Sequence, residues 1–298
     1  MIIDAHAHVF AFPKLKNPNY NMPFLSVVEQ LEVMDAKGVD KTVILPIPNN
    51  ERYCENQSFG EILYICEQYP GRFIPFCNLD PRLARRDDLV TVEDYLYILE
   101  QYKGHGAKGF GELITRLPWT DPAMLKMLEA CERLDLPVVF HTITPDIDSY
   151  GVIDYPGLPL LEAVLKRFPK LKFFGHSPGF WCEISGEVPY EVRNTYDNGK
   201  VKPNGRLIEL FRNYPNLHGD ISAGSGFNAL QRDPEFSWTF VDEFQDRLHL
   251  GLDYCCVTND MQHIEWLTQA RNHGNISADA YEQIMWKNIN RVLDLGLE

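Results

Sequence analysis

The chain opens with Met1-Ile2-Ile3-Asp4-Ala5-His6-Ala7-His8-Val9, an apolar start followed by strict alternation. Alternation predicts a β-strand whose successive side chains point to opposite faces, so Asp4, His6 and His8 share one face. The Cα atoms of the two histidines are then roughly 6.5 to 7 Å apart, and two imidazoles at that separation can hold one metal ion. A pair of buried, hydrogen-bonded histidines explains this tripeptide equally well, so the rest of the chain must distinguish the two.

The composition indicates an acidic globular protein of 298 residues, 45% of them hydrophobic, with a formal net charge of -14 at pH 7. This length is compatible with one α/β domain over residues 1–298. The negative charge disfavours nucleic acid and anionic membranes as partners. No segment has the roughly 18 consecutive apolar residues of a membrane span, and no export signal is recognisable. We therefore expect a cytoplasmic protein that acts on a small molecule, and the sequence leaves open whether it forms a homo-oligomer.

The cysteines do not predict a disulfide framework, because their number is odd and their spacing irregular. They are Cys54, Cys66, Cys77, Cys131, Cys182, Cys255 and Cys256. The absence of a Cys-x-x-Cys pair argues against a thiolate zinc site. The adjacent Cys255 and Cys256 are either reactive thiols or small apolar core residues, and we favour the second interpretation.

Eight short apolar runs recur along the chain, and each is followed by a stretch with helical spacing. The runs are Ile2–His8, Thr42–Ile47, Phe73–Leu79, Ala107–Leu113, Pro137–Thr142, Leu171–His176, Leu217–Ser222 and Leu248–Asp253. The helical segments lie near 24–37, 56–69, 91–103, 121–134, 158–168, 205–213, 235–245 and 259–294. Strand–helix alternation implies parallel strands, so eight such units predict a (β/α)8 TIM barrel in the α/β class.

An open doubly wound sheet is the alternative architecture. Such a sheet usually has a glycine-rich turn after its first strand, and Val9–Pro13 contains no glycine. Two long connections, residues 10–23 and 177–204, follow the first and sixth strands, so in a barrel they lie at the mouth. We expect the second connection to contact substrate, although a surface excursion that packs a helix end is the other interpretation.

Ionisable side chains recur where the predicted strands end, at positions that ordinary barrel strands fill with Val, Ile and Leu. They are His6, His8, Glu112, His141, His176 and Asp253. As separate buried residues, each would need its own hydrogen-bond partner in the driest part of the fold. One metal centre explains all six together, so we expect a divalent ion at the C-terminal mouth of the barrel.

The order of these residues resembles the amidohydrolase superfamily of metal-dependent barrels, with His-x-His on strand 1, a carboxylate on strand 4, histidines on strands 5 and 6, and aspartate on strand 8. The segments Gly106–Leu113 and Asn288–Leu293 resemble in particular its amidohydrolase-related branch, which includes lactonases and non-oxidative decarboxylases. The resemblance covers nearly the whole chain.

The resemblance implies a set of ligands for a first divalent ion, with zinc expected and manganese the alternative. These ligands are His6, His8, His141 and Asp253. Glu112 occupies the bridging position, and His176 would bind a second ion where two are present. The commonest bridge in the superfamily is a carboxylated lysine, so Lys108, four residues before Glu112, is the alternative bridge. The sequence leaves open whether one ion or two are bound.

A metal held by imidazoles and carboxylates lowers the pKa of a bound water from about 15.7 towards 7. Asp253 is the expected general base, while His176 or a second ion stabilises the developing oxyanion. We therefore expect hydrolysis of an amide, lactone or ester. In the alternative, a lyase, one ion grips a substrate carboxylate while His176 or Asp253 protonates the carbon that loses CO2; Glu112 favours hydrolysis. A barrel that binds metal without turnover is the third interpretation.

Three residues are candidates for substrate contact. Arg116 and Trp119 follow the fourth strand and could anchor a carboxylate and pack the body of the substrate, although either could equally belong to a solvated loop. Asn228 ends the small-residue loop Ser222–Asn228, which contacts substrate or simply forms a turn. This loop is not a strained elbow of the kind that carries a serine nucleophile.

The remaining polar candidates are assigned weaker roles. His218 and Asp220 share one face of the seventh strand, while His249 is interpreted as a structural hydrogen-bonding residue. The histidines interpreted as surface residues are His105, His263 and His273.

Overall fold

The computed structural model describes residues 1–17, 21–48, 51, 56–83, 86 and 88–298, so Cys54 lies outside the described residues. Eight parallel strands form the centre of the fold, and each overlaps one of the predicted runs. The strands are β1 (Ile3–Ala7), β2 (Lys41–Ile44), β3 (Phe73–Pro75), β4 (Phe110–Leu113), β5 (Val138–Ile143), β6 (Phe173–His176), β7 (Leu217–Asp220) and β8 (Leu248–His249). The predicted α/β barrel architecture is confirmed.

The strands follow one another around a ring in chain order. Strands β1 to β3 pair in parallel, and so do β4 to β8. Single bridges join the two sheets, one between Cys77 and Phe110 and the other between Ala7 and Tyr254. The ladder is therefore interrupted at two junctions, and the ring is not one continuous sheet.

The eighth strand ends earlier than predicted because a side chain enters its ladder. Oδ1 of Asp4 accepts a hydrogen bond of 2.8 Å from the backbone N–H of Leu252, in place of a strand carbonyl. Asp253 then adopts a left-handed conformation with φ of 55°, and its N–H donates to the carbonyl of His6 at 2.8 Å. The prediction that the strand reaches Asp253 was wrong, since a left-handed residue cannot continue a strand.

Helices surround the ring. They are α1 (Val27–Lys37), α2 (Phe59–Gln68), α3 (Val92–Gly104), α4 (Pro122–Arg133), α5 (Pro159–Arg167), α6 (Pro178–Trp181), α7 (Arg206–Asn213), α8 (Ala223–Gln231), α9 (Pro234–Phe244), α10 (His263–Asn272), α11 (Ala278–Glu282) and α12 (Asn288–Leu293), with a π-helical turn at Gln283–Lys287. Ser26 and Glu29 form a capping box at the start of α1, and Gly38, with φ of 69°, ends it. Across the described residues, no helix combines the length and the hydrophobicity that a membrane span requires.

One loop prediction was wrong. Ser222–Asn228 was predicted as a loop, but most of it belongs to α8. A Cβ on Gly226 would lie 2.3 Å from the carbonyl of Ile221, so this glycine permits a close backbone approach rather than a turn. The segment 259–294, predicted to have helical spacing, contains α10 and then a continuous run of α11, the π-helical turn and α12.

Two hydrophobic clusters stabilise the barrel. The larger cluster lies between the strands and the surrounding helices, and we call it the outer cluster. The smaller one combines residues of the ring with residues of α12, and we call it the inner cluster. Its buried members are Ile3, Ala5, Val43, Leu45, Ile74, Phe76, Val139, Phe174, Ile289 and Leu293. Because Ile3 begins β1, this cluster fills the N-terminal part of the barrel and leaves the C-terminal part to polar residues.

Candidate metal centre

A β-bulge in β1 directs two histidines towards the barrel axis. The segment Asp4–Ala7 pairs with a segment of β2 that is one residue shorter, which is the register of a bulge. Ala5 belongs to the inner cluster, whereas Ala7 packs in the outer one. The bulge therefore reverses the alternation, so the prediction that Asp4 shares a face with His6 and His8 was wrong.

An irregularity of the same kind in β4 positions a carboxylate. Phe110–Leu113 pairs with Val138–Phe140 of β5, so β4 again has one extra residue. Phe110 and Leu113 both pack in the outer cluster. Glu112 lies between them, is 3% exposed, and points to the same centre as the histidines of β1.

The hydrogen bonds of His6 and His8 fix their tautomers. Nδ1 of His6 lies 2.6 Å from Oδ2 of Asp220, and Nδ1 of His8 lies 3.0 Å from the carbonyl oxygen of Leu45. Both oxygens are acceptors, so each Nδ1 carries a proton and each Nε2 is turned towards the centre. The two Nε2 atoms are only 3.1 Å apart. Two nitrogens at this distance either share a proton or bind a metal ion together, and the second arrangement is that of a metal ligand pair.

Glu112 lies between two groups of histidines and presents one oxygen to each. Its Oε2 is 3.2 Å from Nε2 of His8 and 3.8 Å from Nε2 of His6. Its Oε1 is 3.3 Å from Nδ1 of His141 and 3.9 Å from Nε2 of His176. A carboxylate in this arrangement can bridge two ions.

Asp253 spans the centre in the same way from the opposite side. Its Oδ1 is 3.6 Å from Nε2 of both His6 and His8, and its Oδ2 is 3.6 Å from Nε2 of His176. Nδ1 of His176 makes a 2.9 Å hydrogen bond with the hydroxyl of Ser222, so this histidine also turns Nε2 inwards.

Three overlapping groups of donor atoms among the described residues could hold a metal ion. They are His6, His8 and Glu112; His6, His176 and Asp253; and Glu112, His141 and His176. All six predicted ligands are therefore brought together. His141, which the resemblance assigned to a first ion with His6 and His8, clusters instead with Glu112 and His176.

The electrostatics of the centre favour a bound cation. Burial lowers the pKa of His6, but the carboxylates of Asp253, Asp220 and Glu112 outweigh it and raise that pKa to about 10. Burial raises the pKa of Glu112, yet hydrogen bonds from His141 and His8 and the charge of His6 hold it well below its usual range. The centre therefore has an excess of negative charge that a proton or a divalent ion neutralises.

A cavity of about 190 Å³ opens directly above these donor atoms. His8, Glu112, His141, His176 and Asp253 form its floor. Its walls come from the connections after β5, β6, β7 and β8 and include Ile147, Tyr150, Asn194, Tyr196, Ser225 and Cys255. The sequence did not single out Tyr150, Asn194 or Cys255 for this role, because a loop sequence does not show which side chains turn towards the cavity.

The comparison with known families agrees with this geometry. The family model for amidohydrolases, Amidohydro_2, matches residues 3–295. The chain belongs to this amidohydrolase family. The resemblance drawn from the strand-end residues is thereby confirmed, and no curated protein matches the chain.

Solved structures share the fold of this member of the amidohydrolase family at low sequence identity. An uncharacterised TIM-barrel protein from Bordetella bronchiseptica is 17% identical with a TM-score of 0.65, covering 98% of each chain. A probable 2-pyrone-4,6-dicarboxylic acid hydrolase from Acinetobacter baumannii is 14% identical with a TM-score of 0.59, covering 98% of this chain and 99% of the other. A 2,6-dihydroxybenzoate decarboxylase from Rhizobium is 16% identical with a TM-score of 0.54, covering 99% of each chain. These similarities establish the TIM-barrel fold.

The structure assigns different roles to two of the predicted substrate residues of this amidohydrolase. Trp119 is 0% exposed and packs edge-on against Phe140 and Phe173 at centroid distances of 4.8 and 6.0 Å. The prediction that it packs a substrate was wrong, because the ring belongs to the outer core. Asn228 lies outside the cavity, and its amide donates to the carbonyl of Asp197 at 2.8 Å.

Arg116 supports the cavity wall rather than lining the cavity. Its guanidinium donates to the carbonyls of Pro145 at 3.1 Å and Ser149 at 2.7 Å, and also to that of Ile147. Ile147 and Ser149 both line the cavity. Arg116 is therefore a positioning residue for this loop, and the predicted direct contact with a substrate carboxylate is not supported.

Lys108 and His263 also differ from their predictions. Nζ of Lys108 lies 3.3 Å from the carbonyl oxygen of Asp294, at the far end of β4 from Glu112, so Lys108 cannot take the place of the bridging residue. His263 is 2% exposed, and its Nε2 lies 3.1 Å from the carbonyl oxygen of Ala223. Its prediction as a surface residue was wrong, while His105 and His273 are exposed as predicted.

Proposed function

We propose that this amidohydrolase is a metal-dependent hydrolase that cleaves an amide, lactone or ester bond of a small molecule and uses two divalent ions, with zinc the first choice. The observation that carries the proposal is the position of Glu112, whose two oxygens face two different groups of histidines.

The residues present fit such a pair of ions. His6, His8 and the nearer oxygens of Glu112 and Asp253 would hold the first ion, while His141, His176 and the opposite oxygens would hold the second. Divalent ions in this position supply Lewis acidity and a water that is acidic near neutral pH, with a pKa of about 7. Nitrogen and carboxylate donors of this kind suit zinc and manganese.

Asp253 is the proposed proton carrier. Its side chain is 18% exposed, whereas those of His6, Glu112 and His176 are at most 4% exposed. Asp253 therefore reaches both the donor atoms and the cavity, and can accept a proton from a water there and return it to the leaving group. Its left-handed backbone directs the carboxylate to this position.

His176 has one of two roles, which depend on the number of ions. With a second ion bound, its Nε2 would be a ligand of that ion. With one ion bound, the same nitrogen would carry a proton and face the substrate carbonyl. Burial and the charge of His6 lower its pKa, so the ring is neutral near pH 7. With Nδ1 accepting from Ser222, a protonated Nε2 would donate to an oxyanion that develops above it. The hydroxyl of Ser222 therefore controls which nitrogen of His176 faces the cavity.

The second candidate function is non-oxidative decarboxylation of an aromatic or unsaturated carboxylic acid. It is supported by fold neighbours that are named as 2,6-dihydroxybenzoate decarboxylases. It requires one ion only, and His176 or Asp253 would supply the proton that replaces the lost CO2.

Metal analysis combined with product analysis tests both candidates. We expect two ions per chain and release of an acid from a lactone, ester or amide panel, without CO2. We expect His141→Ala to keep one ion, since His141 belongs to one of the two groups only. CO2 release from aromatic acids by a protein with one ion would instead establish the lyase. The cytoplasmic location and a homo-oligomeric state stay predictions.

A further inference from the structure

A second cavity lies at the opposite end of the barrel from the candidate metal centre. Its volume is about 400 Å³. It is lined by Lys172, Pro215, His218, Asp246, Arg247, Arg291 and Val292. Lys172, Pro215 and Arg247 each stand just before β6, β7 or β8, so this cavity, which we call the basal cavity, opens at the N-terminal end of these strands.

The basal cavity is cationic in an otherwise acidic protein. Lys172, Arg247 and Arg291 contribute three positive charges, against one negative charge from Asp246. The whole chain has a net charge of -14. Asp246 is 65% exposed on its side chain and lies 3.6 Å from Nε of Arg247, and the Asp135 partner of Lys172 is 72% exposed. Exposed carboxylates neutralise a cationic cavity only weakly, because water screens them.

Contacts with the protein hold the guanidinium group of Arg247 in place without using all of its donors. Nη1 of Arg247 donates to the carbonyls of Phe211 at 2.6 Å and Tyr214 at 3.2 Å. Its guanidinium also stacks on the rings of Phe211 and Phe244, 5.4 Å from each centroid. A guanidinium has five N–H donors, and within the described part of the chain Nη2 of Arg247 has no hydrogen-bond partner, so its two donors can bind a ligand.

Arg291 is held in a similar way. Its Nη2 donates to the carbonyl of Asp246 at 2.7 Å and to Oδ1 of Asn288 at 2.9 Å. Nη1 donates to Oε1 of Gln283 at 3.3 Å. The side chain is therefore ordered before any ligand arrives, which reduces the entropic cost of binding.

His218 supplies an independent sign of an anionic ligand. It is 5% exposed and lines the basal cavity. Its Nδ1 pairs with Nε2 of His249 at 2.8 Å, and its ring stacks on Phe174 at 5.1 Å. Nδ1 of His218 is occupied by His249 and Nε2 has no partner among the described residues, so Nε2 is the ring nitrogen left for a ligand in the cavity. When His249 donates to Nδ1, this Nε2 carries a proton and donates into the same space that the three cations face.

We propose that the basal cavity binds a small oxyanion, a phosphate or a carboxylate, between Lys172, Arg247, Arg291 and His218. Each of these side chains offers N–H donors, and charge-assisted bonds from guanidinium and ammonium groups are the usual means of holding such anions. The barrel separates this site from the candidate metal centre. A bound anion therefore stabilises the folded chain by mass action and takes no part in the chemistry.

Calorimetric titration with inorganic phosphate, at constant ionic strength and with the metal-loaded protein, tests the proposal. We expect saturable binding that Lys172→Met weakens about tenfold, the effect of losing one charge-assisted hydrogen bond. Lys170→Met is the matched control, because it removes the same charge from an exposed residue outside the cavity. Phosphate bound at the metal centre would be equally strong in both variants, so only a difference between them identifies the basal cavity.

Arg291→Gln provides a second variant, with circular dichroism to confirm its fold. A parallel titration with succinate identifies the source of the oxyanion: binding of either anion that both cavity variants weaken supports the site. If phosphate and succinate both fail to saturate, or if both cavity variants bind as the wild type does, the proposal is overturned.

Discussion

The barrel buries two groups of histidines, one towards each end of the strands. At the mouth, His6 and His8 approach Glu112 and Asp253 within 3.2 to 3.8 Å. At the base, His218 and His249 pair with each other at 2.8 Å, and the rings pack on Phe174. Both groups are almost fully buried, so burial does not distinguish them.

The difference between the groups is the presence of buried carboxylates. At the mouth, carboxylates outweigh burial and raise the pKa of His6 to about 10. At the base, burial together with the cations of Arg247, Lys172 and Arg291 lowers the pKa of His218 to about 3. A buried histidine becomes a candidate metal ligand when acidic side chains accompany it, and it stays neutral when they do not.

The largest expected effect comes from removing the charge of Glu112, whose two oxygens face the two sets of histidines in the metal centre. Glu112→Gln keeps the shape of the side chain but removes the bridging carboxylate. We expect activity to fall more than about a hundredfold, beyond the loss typical of a residue that only supports a ligand, and metal content to fall with it. Elemental analysis and rate measurements check this. Glu100→Gln, on the exposed side of α3, is the control. An active Glu112→Gln protein with a full metal complement would contradict the proposed bridging role of Glu112.

The next largest effect is expected at Asp220, the carboxylate that is hydrogen-bonded to His6 on the side away from the metal centre. Asp220→Asn leaves an acceptor for Nδ1 of His6 but removes the charge 2.6 Å away. We expect metal affinity to weaken about 10- to 100-fold, measured by competition with a chelator. Asp242→Asn, on the exposed surface of α9, should bind metal as the wild type does. Equal affinity of both variants would mean that Asp220 does not support the ligand.

The base group should respond to pH through stability alone. Burial lowers the pKa of His249 well below its ordinary value. Below about pH 6.5 the unfolded chain binds a proton that the folded chain excludes, so this residue makes folding less favourable as the pH falls. The effect approaches about 1.4 kcal/mol per pH unit for one group.

His249→Phe should therefore make the fall in the free energy of unfolding between about pH 7 and about pH 5.5 shallower than in the wild type. Urea unfolding at the two pH values measures this. His273→Phe, at an exposed position, serves as the reference. Activity per folded molecule should stay unchanged. A loss of bound metal in His249→Phe would contradict this expectation, because it would mean that the histidines at the base affect metal binding at the mouth.

The smallest effect is expected at Trp119. Trp119→Phe removes part of a core side chain and also an indole N–H that has no partner among the described residues. The cavity cost and the relief of an unpaired donor oppose each other, so we expect a loss of about 1 to 2 kcal/mol in stability with kcat and KM unchanged. A severalfold increase in KM would instead support the prediction that Trp119 contacts the substrate.

The parts of the molecule that depend on local pattern could be predicted from the sequence. The eight strands follow from short apolar runs, and the six mouth residues follow from their position at strand ends. Asp220 has the same position on β7, so the signal for its role was present. The burial of Trp119 and the helical state of Ser222–Asn228 were not predictable, because they depend on packing partners that are distant in the chain. It was likewise not predictable that His141 clusters with Glu112 and His176 and not with His6 and His8, because this depends on distances across the ring of strands.

The bulges in β1 and β4 make the metal centre sensitive to chain length as well as to residue identity. A change of one residue in either strand alters whether the bulge is needed, and with it the face of the strand on which the ligands lie. A motif search among homologues scores residue types only and would not detect such a change. Insertions and deletions within these two strands therefore deserve the same scrutiny as substitutions of the ligands when inactive relatives are sought.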